Sequence, residues 1–335
     1  MKIGKVSENV FKRSVLQQLK TKREEVVVGA GLGEDCAIFS FEKAACELKM
    51  SNLSTITCVV EGVQPVEHLI TDGVNRLVAR GAEPVAVTLH AMLPVDSEEQ
   101  VLKKTFADAD KVCKQLGIQI AQASGKVSGV VNCPLVTVVS YGTAKSSTDY
   151  HTVKAAKPGQ DIVVSRWIGL KGSAILACRY RDTIMERYPK WICDEAAGFE
   201  QYFGTMKEAA VAIKSGVCTV LNVSEGGILA ALWELAEGAG VGLTIDLKKL
   251  PIRQETVEIC NHLNVNPYEL WSDGCLLMTA EDGQGLVNAL AEEGVPAVIV
   301  GRITDSNDRL ILNDDEVRYL DRPHADSLYE KVKEI

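Results

Sequence analysis

The chain has 335 residues, 46% apolar and 24% charged, with 45 Asp and Glu against 36 Lys and Arg for a formal net charge of −9. That acidic balance excludes nucleic-acid binding through a broad basic surface, which needs an excess of Lys and Arg. The length exceeds one ordinary core and points to two domains, and no apolar run reaches membrane-spanning length, so the expectation is a cytoplasmic protein without a membrane partner.

Ser7 can cap a helix over Glu8 to Lys20, where Val10, Phe11, Val15, Leu16 and Leu19 share one face. The stretch Val26 to Phe41 follows. Gly29, Gly31 and Gly33 permit a left-handed or closely approached backbone, and Glu34-Asp35 set two carboxylates before the apolar run Cys36 to Phe39. A Walker A loop would carry Lys after Gly33, and a dinucleotide fingerprint would carry Gly at Glu34 and a helix behind it; neither is present, and the sequel reads as a strand. Two readings stay open: a hard cation bridging these carboxylates to phosphate, or a Gly-rich hairpin with a solvated acidic tip.

Next come a strand at Ser54 to Val60, a helix at Pro65 to Arg80 ended by Gly81, a strand at Pro84 to Leu93, and a helix from Ser97 to Leu116 with Ser97 as cap and Gly117 as stop. Strands at Ile118 to Ala123 and Pro134 to Thr143 complete a mixed α+β half with helices on one face, and Ala144 to Pro158 reads as the join. The second half opens with a strand at Asp161 to Ser165 and a helix from Gly169 through Arg179. Lys190 to Gly204 shows no clear pattern. Then follow a helix (Thr205 to Lys214), a strand (Val217 to Val223) and a helix (Ile228 to Glu237) begun by Ser224-Glu225-Gly226-Gly227, whose free N–H groups favour an anion. The remainder alternates: strand Val241 to Ile245, helices Gln254 to Leu263 and Pro267 to Leu270, strand Gly274 to Thr279, helix Gly283 to Glu293, strand Ala297 to Ile303, and a hairpin around Ser306-Asn307-Asp308. This is an α/β domain. Ten cysteines without a CxxC or a His-Cys cluster read as reduced thiols in core positions, and the five histidines are too dispersed for a ligand set.

Gly31-Leu-Gly-Glu-Asp-Cys-Ala-Ile, Gly81-Ala-Glu-Pro and Ser224-Glu-Gly-Gly-Ile-Leu-Ala-Ala-Leu-Trp-Glu-Leu-Ala, taken in order along nearly the whole chain, resemble the aminoimidazole-ribonucleotide (AIR) synthetase superfamily, also called PurM-like. Its members include thiamine-monophosphate kinase, selenophosphate synthetase and the hydrogenase maturation factor HypE. Gly226 to Arg302, with Ile252-Arg-Gln-Glu-Thr and Asn266-Pro-Tyr, is most similar to the AIR synthase-related, HypE-like branch. The resemblance implies a PurM N-terminal-like domain over residues 1–148, whose mixed sheet closes a barrel across a homodimer, and a PurM C-terminal-like α/β domain over 149–335. It also implies ATP and Mg²⁺ in a cleft between them, with Asp35 and Glu61 on the metal. Gly31, Gly33, Glu34, Asp35, Asn75, Arg76, Lys126, Glu225, Gly226 and Gly227 would contact the nucleotide, and Lys171 is a further phosphate candidate. The implied activity is ATP-dependent phosphorylation or activation of a small molecule or carboxamide, with no catalytic residue assigned.

This chain departs from the family pattern at named places. Asn75-Arg76 stands where relatives carry Asn-Asp, Ala123-Ser-Gly-Lys126 where many carry Gly-Gly-His/Asp-Thr, and Leu221-Asn222 where an Asp is usual. The charge reversal at Arg76 raises a second hypothesis, a guanidinium replacing the metal on phosphate or carboxylate. It also supports an alternative role, that of a catalytically degenerate member that binds nucleotide or anion and serves as a regulatory partner. HypE proper uses a C-terminal cysteine; the last cysteine here is Cys275, and the expectation is that no such tail takes part.

Overall fold

A computed structural model describes residues 54–144, 150–217 and 219–331, the shorter pieces 26–28, 31–34 and 36–40, and the single residues Asn9, Lys12 and Leu16. The helix expected over Glu8 to Lys20 therefore lies, apart from those three residues, outside the described residues, as do Asp35, Cys46 and Cys218. The chain divides into an N-terminal unit, residues 22–29 and 35–150, and a C-terminal unit, residues 1–21, 30–34 and 151–335.

The N-terminal unit is built on six strands: β1 (Val26–Val28), β2 (Ala37–Ser40), β3 (Ser54–Gly62), β4 (Glu83–Leu93), β5 (Gln119–Val127) and β6 (Leu135–Ala144), in the spatial order β1-β2-β3-β6-β4-β5. Every pairing is antiparallel except β4 with β5, which are joined by a helix, as a parallel pair requires. Among the described residues two helices serve it, α1 (Val66–Ala79) and α2 (Glu99–Leu116). Strict alternation along β6 buries Val136, Val138, Ser140, Gly142 and Ala144, while α1 buries Leu69, Ile70, Val74, Leu77 and Val78. The helix comes very close at one point: a Cβ on Gly73 would stand 2.2 Å from Ser140 Oγ. Helix α2 ends on Gly117 at φ 69°, but it begins at Glu99 without a side-chain cap, because the Ser97 hydroxyl donates back to the Pro94 carbonyl at 2.8 Å. Strand β5 runs past the expected end at Ala123 and takes in Lys126, which pairs with Met92.

Among the described residues the C-terminal unit carries seven strands: β7 (Asp161–Ser165), β8 (Thr219–Val223), β9 (Gly242–Asp246), β10 (Cys275–Ala280), β11 (Ala297–Thr304), β12 (Arg309–Asn313) and β13 (Glu316–Tyr319). Their order is β13-β12-β9-β11-β7-β10-β8. Its elements among the described residues include helices α3 (Leu170–Arg179), α4 (Arg181–Met185), α5 (Lys190–Ala197), α6 (Met206–Lys214), α7 (Gly227–Ala239), α8 (Gln254–Leu263), α9 (Gly283–Glu292) and α10 (Leu328–Lys331). One core gathers β7, β9 and α7 around Ile162, Val164, Leu232, Leu235, Leu243 and Ile245, and a second gathers α3, α5 and α8 around Leu176, Ile192, Phe199 and Ile259.

Two expectations change here. The hairpin lies at Asn313 to Glu316, with Asp314 at φ 54°, while the segment at Ser306 to Asp308 carries the chain across β9, so β12 pairs with β9 in parallel. The unassigned Lys190 to Gly204 forms α5 and a 3₁₀ segment at Gly198–Tyr202, burying Ile192, Cys193, Ala196 and Phe199. Pro267–Glu269 is one 3₁₀ turn, capped by Asn266. Among the described residues no helix is long and apolar enough to cross a membrane.

Candidate functional site

In the C-terminal unit, residues 31–34 pack on the chain's own backbone. A Cβ on Gly33, at φ 69°, would lie 3.1 Å from Val153 Cγ1 and 3.2 Å from the Glu234 carbonyl, so close packing against α7 demands glycine here. Glu34 Oε1 accepts from Thr152 Oγ1 at 2.9 Å, which fixes that carboxylate's orientation.

The Glu225-Gly226-Gly227 segment opens α7 as expected, with both glycines left-handed at φ 87° and 68°. A Cβ on Gly227 would meet the Tyr268 carbonyl at 2.5 Å, so the close approach at this loop is to the 268–270 backbone. The group that answers the helix start belongs to the chain itself: Asp326 Oδ2 accepts from the Gly226 N–H at 2.7 Å. Burial first, with the nearby Glu225 charge adding to it, pushes the Asp326 carboxyl up to about 7 against the pull of N–H donors from Gly226, Leu328 and Trp271. Burial and Glu225 also raise the Tyr329 phenol.

Beside this segment stands a second pair of charges. Lys171, at the start of α3, is buried with Nζ 2.6 Å from Asp273 Oδ2 and 4.4 Å from the centre of the Trp271 ring. Its ammonium is committed to that carboxylate and that ring. Ser272 Oγ accepts from the Gly169 N–H at 2.8 Å and holds the same corner together.

In the N-terminal unit, Glu61 is exposed near the end of β3 and its Oε1 accepts from Thr137 Oγ1, its cross-strand partner, at 3.0 Å. Asn75 is fully buried on α1. Arg76 forks onto both oxygens of Asp72 at 3.2 Å each, and Asp72 is 2% exposed. A carboxylate is thus present on this helix one turn before the position where its loss was read from sequence. Lys126 is exposed on β5, two residues from Ser124, whose hydroxyl meets His90 Nδ1 at 2.6 Å.

The sequence reading missed Asp72, Asp273 and Asp326. The i, i+4 spacing of Asp72 and Arg76 was a usable signal, whereas Asp273 and Asp326 meet their partners only through long-range folding. For a hard divalent cation the chemistry of an exposed Glu61 carboxylate fits; among the described residues no three His, Cys, Asp or Glu side chains converge as a metal centre. Six of the eight described cysteines are buried, and burial raises Cys113 to about 11 and Cys260 to about 12, whereas Cys133 is half-buried and Cys178 exposed, against the expectation of core positions.

Comparison with known proteins adds four findings. Residues 157–313 match the family model described as AIR synthase related protein, C-terminal domain. Carbamoyl dehydratase HypE of Rhodobacter capsulatus is 27% identical over 68% of this chain and 66% of its own length, so the chain spans just under two thirds of that relative. A putative hydrogenase expression/formation protein of Methanocaldococcus jannaschii is 23% identical over 92% of this chain and 91% of its own. Among solved structures, hydrogenase maturation protein HypE in complex with ATP superimposes with a TM-score of 0.67 at 16% identity, over 83% of this chain and 88% of that one. Residues 157–313 thus match the AIR synthase related C-terminal domain, and the chain is similar in sequence to HypE-type proteins and in fold to HypE.

Proposed function

We propose that the protein is an ATP-dependent enzyme of the HypE-like kind, which activates or phosphorylates a small molecule or carboxamide. The similarity to a carbamoyl dehydratase over two thirds of the chain carries this reading, and the likeness in fold to a HypE crystallised with ATP supports the nucleotide. Asp35 and Glu61 are the proposed metal ligands; when bound, Mg²⁺ would neutralise charge on the phosphates as phosphoryl is transferred. Gly31, Gly33, Glu34, Asn75, Lys126, Glu225, Gly226 and Gly227 remain proposed nucleotide contacts. Arg76 acts there through the carboxylate it orients, Asp72. We also propose a homodimer, formed through the β3–β6 sheet face that α1 leaves uncovered, and residence in the cytoplasm, where the free described cysteines would stay reduced.

The test is ADP release by purified protein with Mg²⁺, compared with Asp35→Ala and Glu61→Ala. Turnover lost in both variants is the expected result. If thermal-shift titration shows ATP binding but no candidate substrate raises ADP release above background, the alternative holds: a degenerate member acting as a binding or regulatory partner. The observation favouring that alternative is that Arg76 already has its anion and the α7 start already has Asp326.

A further inference from the structure

We propose that residues 325–331 form a strap that Asp326 fastens across the start of α7 and that loosens as pH rises. This goes beyond the nucleotide reading, and its test needs no nucleotide.

The strap is attached at a small set of identifiable points. Asp326 is 1% exposed and joins two helix starts, with Oδ2 accepting from Gly226 N–H at 2.7 Å and Oδ1 from Leu328 N–H at 2.9 Å. Ser327 N–H donates to the Glu269 carbonyl at 3.2 Å, and its hydroxyl lies 3.3 Å from Glu269 Oε2. Leu328 is fully buried in the core with Leu170, Ile259 and Trp271, and the Tyr180 hydroxyl donates to the Lys331 carbonyl at 2.6 Å. Helix α10 is a single turn, so the strap can open as a local unit without unfolding the sheet.

The groups facing Asp326 and its neighbours on the strap are acids. Glu225 comes from the loop before α7, Glu269 from the turn at 267–269, and the Tyr329 phenol, hydrogen-bonded to Glu225, from the strap itself. The Lys171 ammonium, next to Trp271, is already held by Asp273. An ionised Asp326 is therefore buried beside Glu225, and the protonated form suits the docked strap better. Its ordinary value of 3.8 applies once the strap is released, against about 7 when docked. The docked state binds the proton more tightly, so docking is strongest below about pH 4, weakens between about pH 4 and 7, and levels off above that. Between about pH 5 and pH 8 the docking equilibrium should fall by about 10²-fold.

Hydrogen exchange of the full chain, read by mass spectrometry from about pH 5 to pH 8 and corrected for intrinsic exchange rates, tests this. Protection of peptides covering 325–331 should fall about 10²-fold, while peptides from β7 and β10 hold theirs. Asp326→Asn should abolish the pH dependence. Glu225→Gln, which removes the like charge and leaves Asp326 in place, should move the midpoint down, so the test stands even if the first variant folds poorly. A strap whose protection is flat or rises with pH in the native protein overturns the proposal. So does a pH dependence that survives Asp326→Asn, or a midpoint that Glu225→Gln leaves unmoved.

Discussion

Lys171→Met removes an ammonium from the C-terminal unit while keeping an unbranched side chain of similar reach. In the native structure Nζ is 2.6 Å from Asp273 Oδ2, and the two side chains are 1% and 3% exposed. The variant leaves the Asp273 carboxylate buried with this cation gone, and breaking such a pair from one side costs about 3–5 kcal/mol. Loss of the contact with the Trp271 ring, at 4.4 Å, adds up to about 2 kcal/mol in a desolvated site, but the two terms overlap. We expect a net loss of about 4 kcal/mol, near 10³ in the folding equilibrium. In the variant Asp273 can relieve its burial by taking up a proton, so the loss shrinks at low pH and grows as pH rises. Urea unfolding followed by tryptophan fluorescence reads the right unit, because Trp167, Trp191, Trp233 and Trp271 all lie in it. The double variant Lys171→Met with Asp273→Leu should recover most of the stability, since an apolar pair of similar volume suits the same pocket. A single-variant loss below about 1 kcal/mol, or a double variant no better than the single, would refute the reasoning.

Gly227→Ala should destabilise the same unit by about 2–4 kcal/mol in urea, because φ 68° is left-handed and the atoms a Cβ would meet are backbone that has no rotamer to change. Arg76→Met should lower the stability of the N-terminal unit by about 1–3 kcal/mol in urea by stripping the guanidinium from the buried Asp72; a loss below about 0.5 kcal/mol would count against it. Gly73→Ala should be destabilising alone and largely rescued by Ser140→Ala, since the clash is with Ser140 Oγ, a hydroxyl the structure gives no hydrogen-bond partner; absence of rescue would place the strain elsewhere. Iodoacetamide on the folded protein should modify the exposed Cys178 before Cys113 or Cys260, as peptide mass spectrometry can establish.

Periodicity and stop signals carried the fold reading furthest where both were local. Helix α8 was readable to the residue, because its buried positions Ile259, Cys260 and Leu263 recur at helical spacing and Asn264 closes it at φ 52°. Strand β6 was readable from its alternation. The apolar run Leu310-Ile311-Leu312 announced a strand but not its partner, so the parallel pairing with β9 went unseen and a hairpin was expected in its place. The candidate site was less legible for a related reason. Glycines in 31–34 and 226–227 resemble ligand loops, yet their neighbours in the structure are Val153, Glu234 and the 268–270 backbone. Residue type alone cannot distinguish a backbone approached by a ligand from one approached by the chain. Arg76 was read by its sign, and its meaning changed once the buried Asp72 stood beside it. Asp326 sits in a polar stretch without periodicity, and only its distance from Gly226 singles it out.

The sheet order of the C-terminal unit also bears on how the chain is born. Strand β7 is hydrogen-bonded on one side to β10 and on the other to β11, both encoded far downstream. About 110 residues separate the end of β7 from the start of β10, so at roughly 5–20 residues per second the ribosome needs on the order of 5–20 s to supply its first partner. During that interval Ile162, Val163 and Val164, all fully buried in the finished fold, have neither strand to pair with. A nascent chain halted before residue 275 should present this apolar segment to chaperones or to its own copies, and release from that state should come with synthesis of β10 and β11.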